Sequence, residues 1–174
     1  AVSEGVLVGS AACEGRSRFS NAVFAFDVET SKRKWLLTTK EVRDTTLSIS
    51  GGRVFYVENR KDAPAKKKLF NLDEPVEYTR TVVALDLMTG KPAWEKEVNL
   101  KDCGGWDQGV WGTLQMLCKD DILILAGAYT IYAGSKATEE KPRAALALST
   151  KDGTVLWTSS VGNRSRPVLM QGAL

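Results

Sequence analysis

The stretch Val82 to Trp94, VVALDLMTGKPAW, is written nearly three times along this chain, and that repetition constrains the fold more than any other feature. The other copies are NAVFAFDVETSKRKW, ending at Trp35, and RAALALSTKDGTVLW, ending at Trp157. Aligned without gaps, Asp27, Asp86 and Ser149 share one column, and a tryptophan follows each by eight residues. Ala25, Ala84 and Ala147 stand two positions before that column, and Ser31, Gly90 and Gly153 stand four positions before the tryptophan. Offsets that recur together mark a repeat architecture, in which one supersecondary unit is copied and neighbouring copies bury each other's faces.

Each copy reads as a β-hairpin. Phe24, Phe26 and Val28 alternate with small or polar residues, as do Val83, Leu85 and Leu87, which is the period of a half-buried strand. The pairs Thr89-Gly90 and Asp152-Gly153 supply a turn residue that tolerates positive φ. The tryptophan opens the returning strand, where it buries a large flat area and keeps its N–H for a partner. The alanine leaves a shallow space on a neighbouring strand into which such a ring can settle. In the first copy Ser31 replaces glycine, and in the third Ser149 replaces aspartate with Asp152 displaced into the turn, so these hairpins are expected to differ in turn type.

Short apolar strands precede the hairpins at Val6 to Gly9, Val54 to Val57 and Ile122 to Ala126, with a further strand before the second and third of these. The unit is therefore a meander of four strands with the tryptophan on the fourth, the blade of a β-propeller. The expected division is a partial blade over 1–36, blades over 45–100 and 111–160, and the first strand of another over 167–174. The tryptophans lie 59 and 63 residues apart, longer than the roughly 40 to 45 of WD40 blades, so each unit carries extra loop. Closed propellers have about 4 to 8 blades. About three blades are too few to close, and the chain is expected to be part of a larger ring, of about eight blades, whose remaining blades lie on the same or another chain. The lack of an opening methionine or signal peptide fits a processed or truncated segment.

The pattern Ala-x-Asp-x-x-Thr-Gly-x-x-x-Trp, complete in Ala84, Asp86, Thr89, Gly90 and Trp94, resembles the tryptophan-docking motif of the PQQ-like, or quinoprotein-type, β-propellers. That resemblance spans essentially the whole chain through the three copies. It implies an all-β propeller of four-stranded antiparallel blades and an exported, periplasmic or extracellular location. It leaves the function open, because similar blades occur in PQQ-dependent alcohol and glucose dehydrogenases and in the BamB-type outer-membrane assembly scaffold, and a propeller appended to another catalytic domain is a further possibility. The favoured reading is a binding or scaffold segment that presents a rigid surface to a protein or polysaccharide. The alternative is part of a periplasmic PQQ-dependent oxidoreductase, with PQQ and Ca²⁺ held only together with residues of other blades.

Composition narrows the chemistry. The chain of 174 residues has no histidine, so it supplies no Ser-His-Asp triad, Cys-His pair or histidine metal ligand. Its net charge of +3 is too small to suggest nucleic acid, and the basic run Lys66 to Lys68 falls in a polar stretch expected to be a solvated insertion. No apolar run reaches the roughly 18 residues of a membrane span. The cysteines, Cys13, Cys103 and Cys118, form no CxxC pair and no metal site is expected. None are adjacent, whereas the alcohol dehydrogenases of the resembled family place a vicinal disulfide against the cofactor. Cys103 and Cys118 remain open as free thiols or as one disulfide.

A ligand in the central funnel would meet the loops that follow the tryptophan strands, 41–45, 101–112 and 162–167. They hold Arg43 and Asp44; Trp106, Asp107, Gln108 and Trp111; and Asn163, Arg164 and Arg166. Converging arginines with an aromatic beside an acid suit an anionic planar ligand through bidentate contacts and stacking. The same residue types are also ordinary in polar connecting loops, and no catalytic residue is assigned.

Overall fold

In the computed structural model, the described residues are 1–12, 20–60, 79–103, 114–127 and 144–159. They form strands β1 (Val2–Ser3), β2 (Val6–Ala11), β3 (Ser20–Asp27), β4 (Arg33–Val42), β5 (Ser48–Ser50) and β6 (Arg53–Asn59). The series continues with β7 (Thr79–Asp86), β8 (Pro92–Asn99), β9 (Leu114–Lys119), β10 (Ile122–Gly127), β11 (Ala145–Ser149) and β12 (Val155–Ser159). Every strand pairing is antiparallel, and the helical pieces among the described residues are two 3-10 turns, Asp44–Thr46 and Leu100–Cys103. The protein is all-β, built of four-stranded antiparallel blades: β1–β4, β5–β8 and β9–β12.

Two features have no counterpart in the sequence expectations. Val2 and Ser3 pair with Leu7 and Val6 across a tight turn, as Ser50 pairs with Arg53, so the first blade has a short innermost strand. Glu41 and Val42, expected in a loop, belong to β4 and pair with Asn59 and Glu58 of β6. The first two blades therefore form one continuous eight-stranded sheet, whereas the third is a separate four-stranded sheet.

The middle blade is covered on both sides. On β6, Val54 and Tyr56 join Val6, Val8, Val23 and Ala25 of the first blade in one core. The alternate residues Phe55 and Val57 join Leu114, Leu123, Leu125 and Leu148 of the third blade in another. That is why Val54–Val57 reads as an unbroken apolar run: a strand buried on both faces has no solvent side to mark with polar residues. Each such side chain contributes roughly 1.5–3 kcal/mol through the area it removes from water.

Cys103 and Cys118 are both thiols, not a disulfide. Cys103 ends the 3-10 turn after β8, where its Sγ reaches Asn99 O at 3.7 Å, and burial pushes its pKa up to about 12. Cys118 packs against the same core, paired with Leu123 beside the turn into β10. The disulfide alternative is not adopted: each thiol is taken up by the same core without bonding to the other.

Leu125→Ala, which empties a position in the core between the second and third blades, is expected to cost about 2–5 kcal/mol. The measurement is a urea titration; an unchanged slope with a lower midpoint would show lost packing, not altered compactness.

Candidate functional site

The hairpin turns are held by one carboxylate each. Asp86 Oδ1 accepts from Thr89 N at 2.8 Å and Thr89 Oγ1 at 2.7 Å, while Gly90 N donates to Asp86 O at 2.9 Å. The first turn repeats the side-chain bonds, with Asp27 Oδ1 accepting from Thr30 N at 2.9 Å and Thr30 Oγ1 at 2.8 Å. Ser31 has φ +56°, close to the +69° of Gly90 and +73° of Gly153. The first hairpin thus keeps the left-handed turn residue of the other two, although a residue with a β-carbon spends about 1 kcal/mol or more to adopt it. In the third turn the displaced Asp152 takes over, accepting from Thr154 N at 3.0 Å and from the Thr154 hydroxyl.

Beyond each turn the ladder slips by one residue. Ala25, Ala84 and Ala147 pair directly with Trp35, Trp94 and Trp157, while the next residues pair with Arg33, Pro92 and Val155. Lys34, Ala93 and Leu156 are therefore bulge residues just before the tryptophans, and a bulge re-aims the side chain that follows it. The alanine is the tryptophan's cross-strand partner in its own blade. The seat of the ring lies in the next blade: a β-carbon at Gly90 would come within 2.7 Å of Trp35 Cδ2, and one at Gly153 within 2.8 Å of Trp94 Cε3. The indole N–H groups complete the contact, Trp35 Nε1 donating to Leu87 O and Trp94 Nε1 to Thr150 O, both at 2.9 Å. Arg53 adds a tie between the second and third blades, its Nη1 donating to Thr150 O at 2.6 Å and Lys151 O at 2.9 Å.

At the inner side, β4 passes into β5 through Arg43 and the turn Asp44–Thr46. Arg43 precedes that turn in extended conformation and is half-buried. Asp44 Oδ1 accepts from Ser20 Oγ at 2.6 Å and Ser10 Oγ at 3.2 Å, which binds the turn to the ends of β2 and β3. The hydroxyls of Thr45, Ser48 and Ser50 donate to Leu114 O (2.5 Å), Met116 O (3.2 Å) and Asp120 O (3.3 Å). The innermost strand of one blade is thereby stitched to that of the next. Of the funnel residues expected from the sequence, the structure brings Arg43 and Asp44 together. Trp106, Asp107, Gln108, Trp111, Asn163, Arg164 and Arg166 lie outside the described residues.

No family model matches this sequence, and no curated protein matches it. Among solved structures, the quinohemoprotein alcohol dehydrogenase from Comamonas testosteroni matches 91% of this chain and 20% of its own at a TM-score of 0.50 and 15% identity. The blades have the PQQ-like β-propeller fold. BamB from Moraxella catarrhalis is also similar (16% identity, 82% of this chain, 32% of that chain, TM-score 0.47). So is the quinohemoprotein alcohol dehydrogenase ADHIIG from Pseudomonas putida HK5 (15% identity, 81% of this chain, 24% of that chain, TM-score 0.45). The chain spans about a third or less of the length of each of these proteins.

The second blade carries a cleft of about 280 Å³ lined by Arg60, Thr79, Thr81, Glu95, Lys96 and Glu97. Arg60 is committed there: Nη1 and Nη2 grip the Glu95 carboxylate at 2.7 and 2.6 Å, and Nε bonds Glu58 at 2.8 Å. The paired arginine holds the Glu95 carboxyl below its usual range. Among the described residues no group of three or more acidic or cysteine side chains converges, and Asp44 is taken up by serine hydroxyls. The bulges, the hydroxyl stitching and the Arg53 tie went unread in the sequence, since a register slip changes no residue type and Ser and Thr are common in strands and loops alike.

Two outcomes follow from the propeller's contacts. Trp94→Phe keeps a ring but removes the bond to Thr150 O and is expected to cost about 1 kcal/mol, against about 3–5 kcal/mol for Trp94→Ala, measured by urea titration. The backbone N–H of Thr30, then its hydroxyl and Lys34, hold Asp27 down to about 2 from 3.8, and Asp86 and Asp152 are lowered by the Thr89 and Thr154 hydroxyls. A carboxyl lowered in the folded state stabilises above its unfolded pKa and loses that effect as pH falls through the folded one. Stability is therefore expected to drop from about pH 4 towards about pH 2, and Asp27→Asn should flatten that limb in an acid titration followed by circular dichroism.

Proposed function

We propose that this chain is a binding or scaffold segment of a propeller, offering a rigid blade surface to a protein or polysaccharide partner in an exported, periplasmic or extracellular setting. The observation that carries this reading is the use of the described polar side chains as structural ties: Asp44 on Ser10 and Ser20, Thr45, Ser48 and Ser50 on the next blade, and Arg60 on Glu58 and Glu95. A surface whose polar groups are already paired recognises by shape and by its loops more than by a built chemical centre. In this reading Arg43, Trp106, Asp107, Gln108, Trp111, Arg164 and Arg166 line the funnel side of that surface, and Asp44 fixes the loop that carries Arg43. Among the described residues no helix is long and apolar enough to cross a membrane.

The alternative, a share in a PQQ-dependent oxidoreductase, rests on the sequence resemblance and would draw the Ca²⁺ and PQQ contacts from other blades. Titrating the complete protein with PQQ and Ca²⁺ while following quinone absorbance separates the two. The scaffold reading expects no saturable spectral change. Saturable binding that Arg43→Ala weakens would replace it with the quinoprotein reading.

A further inference from the structure

The propeller's blades face one way. Trp35 and Trp94 each look forward to the next blade, and the faces that receive them lie on the second and third blades. On the second blade that receiving face is Val83, Leu85 and Leu87, at most 1% exposed beneath the first blade. The corresponding residues of the first blade are Phe24, Phe26 and Val28. Phe24 and Phe26 meet edge to face at 5.6 Å, Gly9 leaves the space that the Phe24 ring fills, and Val28 and Leu7 stand 51% and 41% exposed. The first blade thus presents the same kind of apolar receiving face as the second.

One atom sets it apart. The seats of Trp35 and Trp94 are glycines because a β-carbon there would lie 2.7 to 2.8 Å from ring carbons, closer than carbon atoms approach without repulsion. In the first blade the seat is Ser31, with the same left-handed backbone (φ +56°) and therefore a β-carbon directed where an indole would lie. Because the backbone shape is retained, the serine does not swing its β-carbon out of the way.

We propose that the receiving face of the first blade is a seam in the ring: it takes a neighbouring blade that brings no tryptophan to Ser31. The occupant is an antiparallel blade whose fourth strand carries a small or aliphatic residue in the tryptophan column, lying flat on Phe24, Phe26 and Val28. A second copy of this chain does not fit, since its forward face would offer Trp157. Trp157 itself pairs with Ala147 in the register of Trp35 with Ala25 and Trp94 with Ala84, and it is 37% exposed. The serine therefore also keeps copies of the chain from stacking front to back into open filaments, the usual outcome of a head-to-tail contact that does not close. This inference is independent of which partner the propeller binds.

The test installs the seam residue at a working seat. In the 174-residue chain, Gly90→Ser is expected to lower the urea midpoint and to remove the exchange protection of the Trp35 indole N–H. In the Trp35→Ala background the same serine should leave the midpoint near that of Trp35→Ala alone. If Gly90→Ser unfolds the chain, the Trp35→Ala/Gly90→Ser double variant should still fold. An equal loss in both backgrounds, an indole N–H that stays protected in Gly90→Ser, or a double variant that fails to fold where Trp35→Ala folds overturns the proposal, because the cost would then lie in the backbone and not in the ring. Sedimentation of the wild-type chain over a concentration series completes the test. It should match that of Trp157→Ala, and self-association that Trp157→Ala abolishes would show the serine face accepting a tryptophan.

Discussion

An indole lying on a glycine of the next blade is the contact on which the rest of this structure depends. A four-stranded blade has two broad faces and can bury neither alone, so its stability is borrowed from neighbours. The Trp35 and Trp94 contacts set how the neighbours meet. Each needs three things at once: a position without a β-carbon, a left-handed backbone at that position, and a carbonyl close enough for the ring N–H. The hairpin turn provides all three in a few residues. The carboxylate of Asp86 holds the turn's shape, and the bulge at Lys34 or Ala93 aims the ring from the other side. A nonspecific apolar surface would permit many relative positions of two sheets; a ring with one seat and one acceptor permits one.

A second set of ties runs along the inner strands. Thr45, Ser48 and Ser50 give their hydroxyl protons to backbone carbonyls of the neighbouring blade, and Asp44 draws the ends of β2 and β3 to the turn that leads into β5. Hydrogen bonds from neutral hydroxyls add little individually, about 1 kcal/mol, but together they tie the inner strand of the second blade to that of the third. The proposed partner surface lies on the loops that this scaffold carries.

Much of this was legible in the sequence because the repeat aligns residues that do the same work. Ala84, Asp86, Gly90 and Trp94 recur at fixed spacing, and spacing within a hairpin is a local property that one strand, one turn and one strand determine. The four-stranded unit and the all-β class followed from that. Other features were beyond reach. The bulges before the tryptophans depend on cross-strand register, β1 is two residues long, and the continuity of β4 with β6 at Glu41 and Val42 joins segments expected to be separated by a loop. Ser31 looked like a change of turn type, but it takes the same left-handed φ as Gly90 beside the same Asp27 to Thr30 bonds.

By itself, the sequence determined the blade: the alternation of apolar residues, the turn chemistry and the position of a tryptophan in each copy are short-range, and short-range geometry is written in adjacent residues. Tertiary structure alone decided what each tryptophan touches. Trp35 and Leu87 are 52 residues apart, and Trp94 and Thr150 are 56 apart; nothing in either segment names its partner, and the match exists only once the sheets face one another. The same is true of Cys103 and Cys118, which share a core without bonding, and of Ser31, whose single β-carbon acquires meaning only beside the space that Gly90 leaves for a ring.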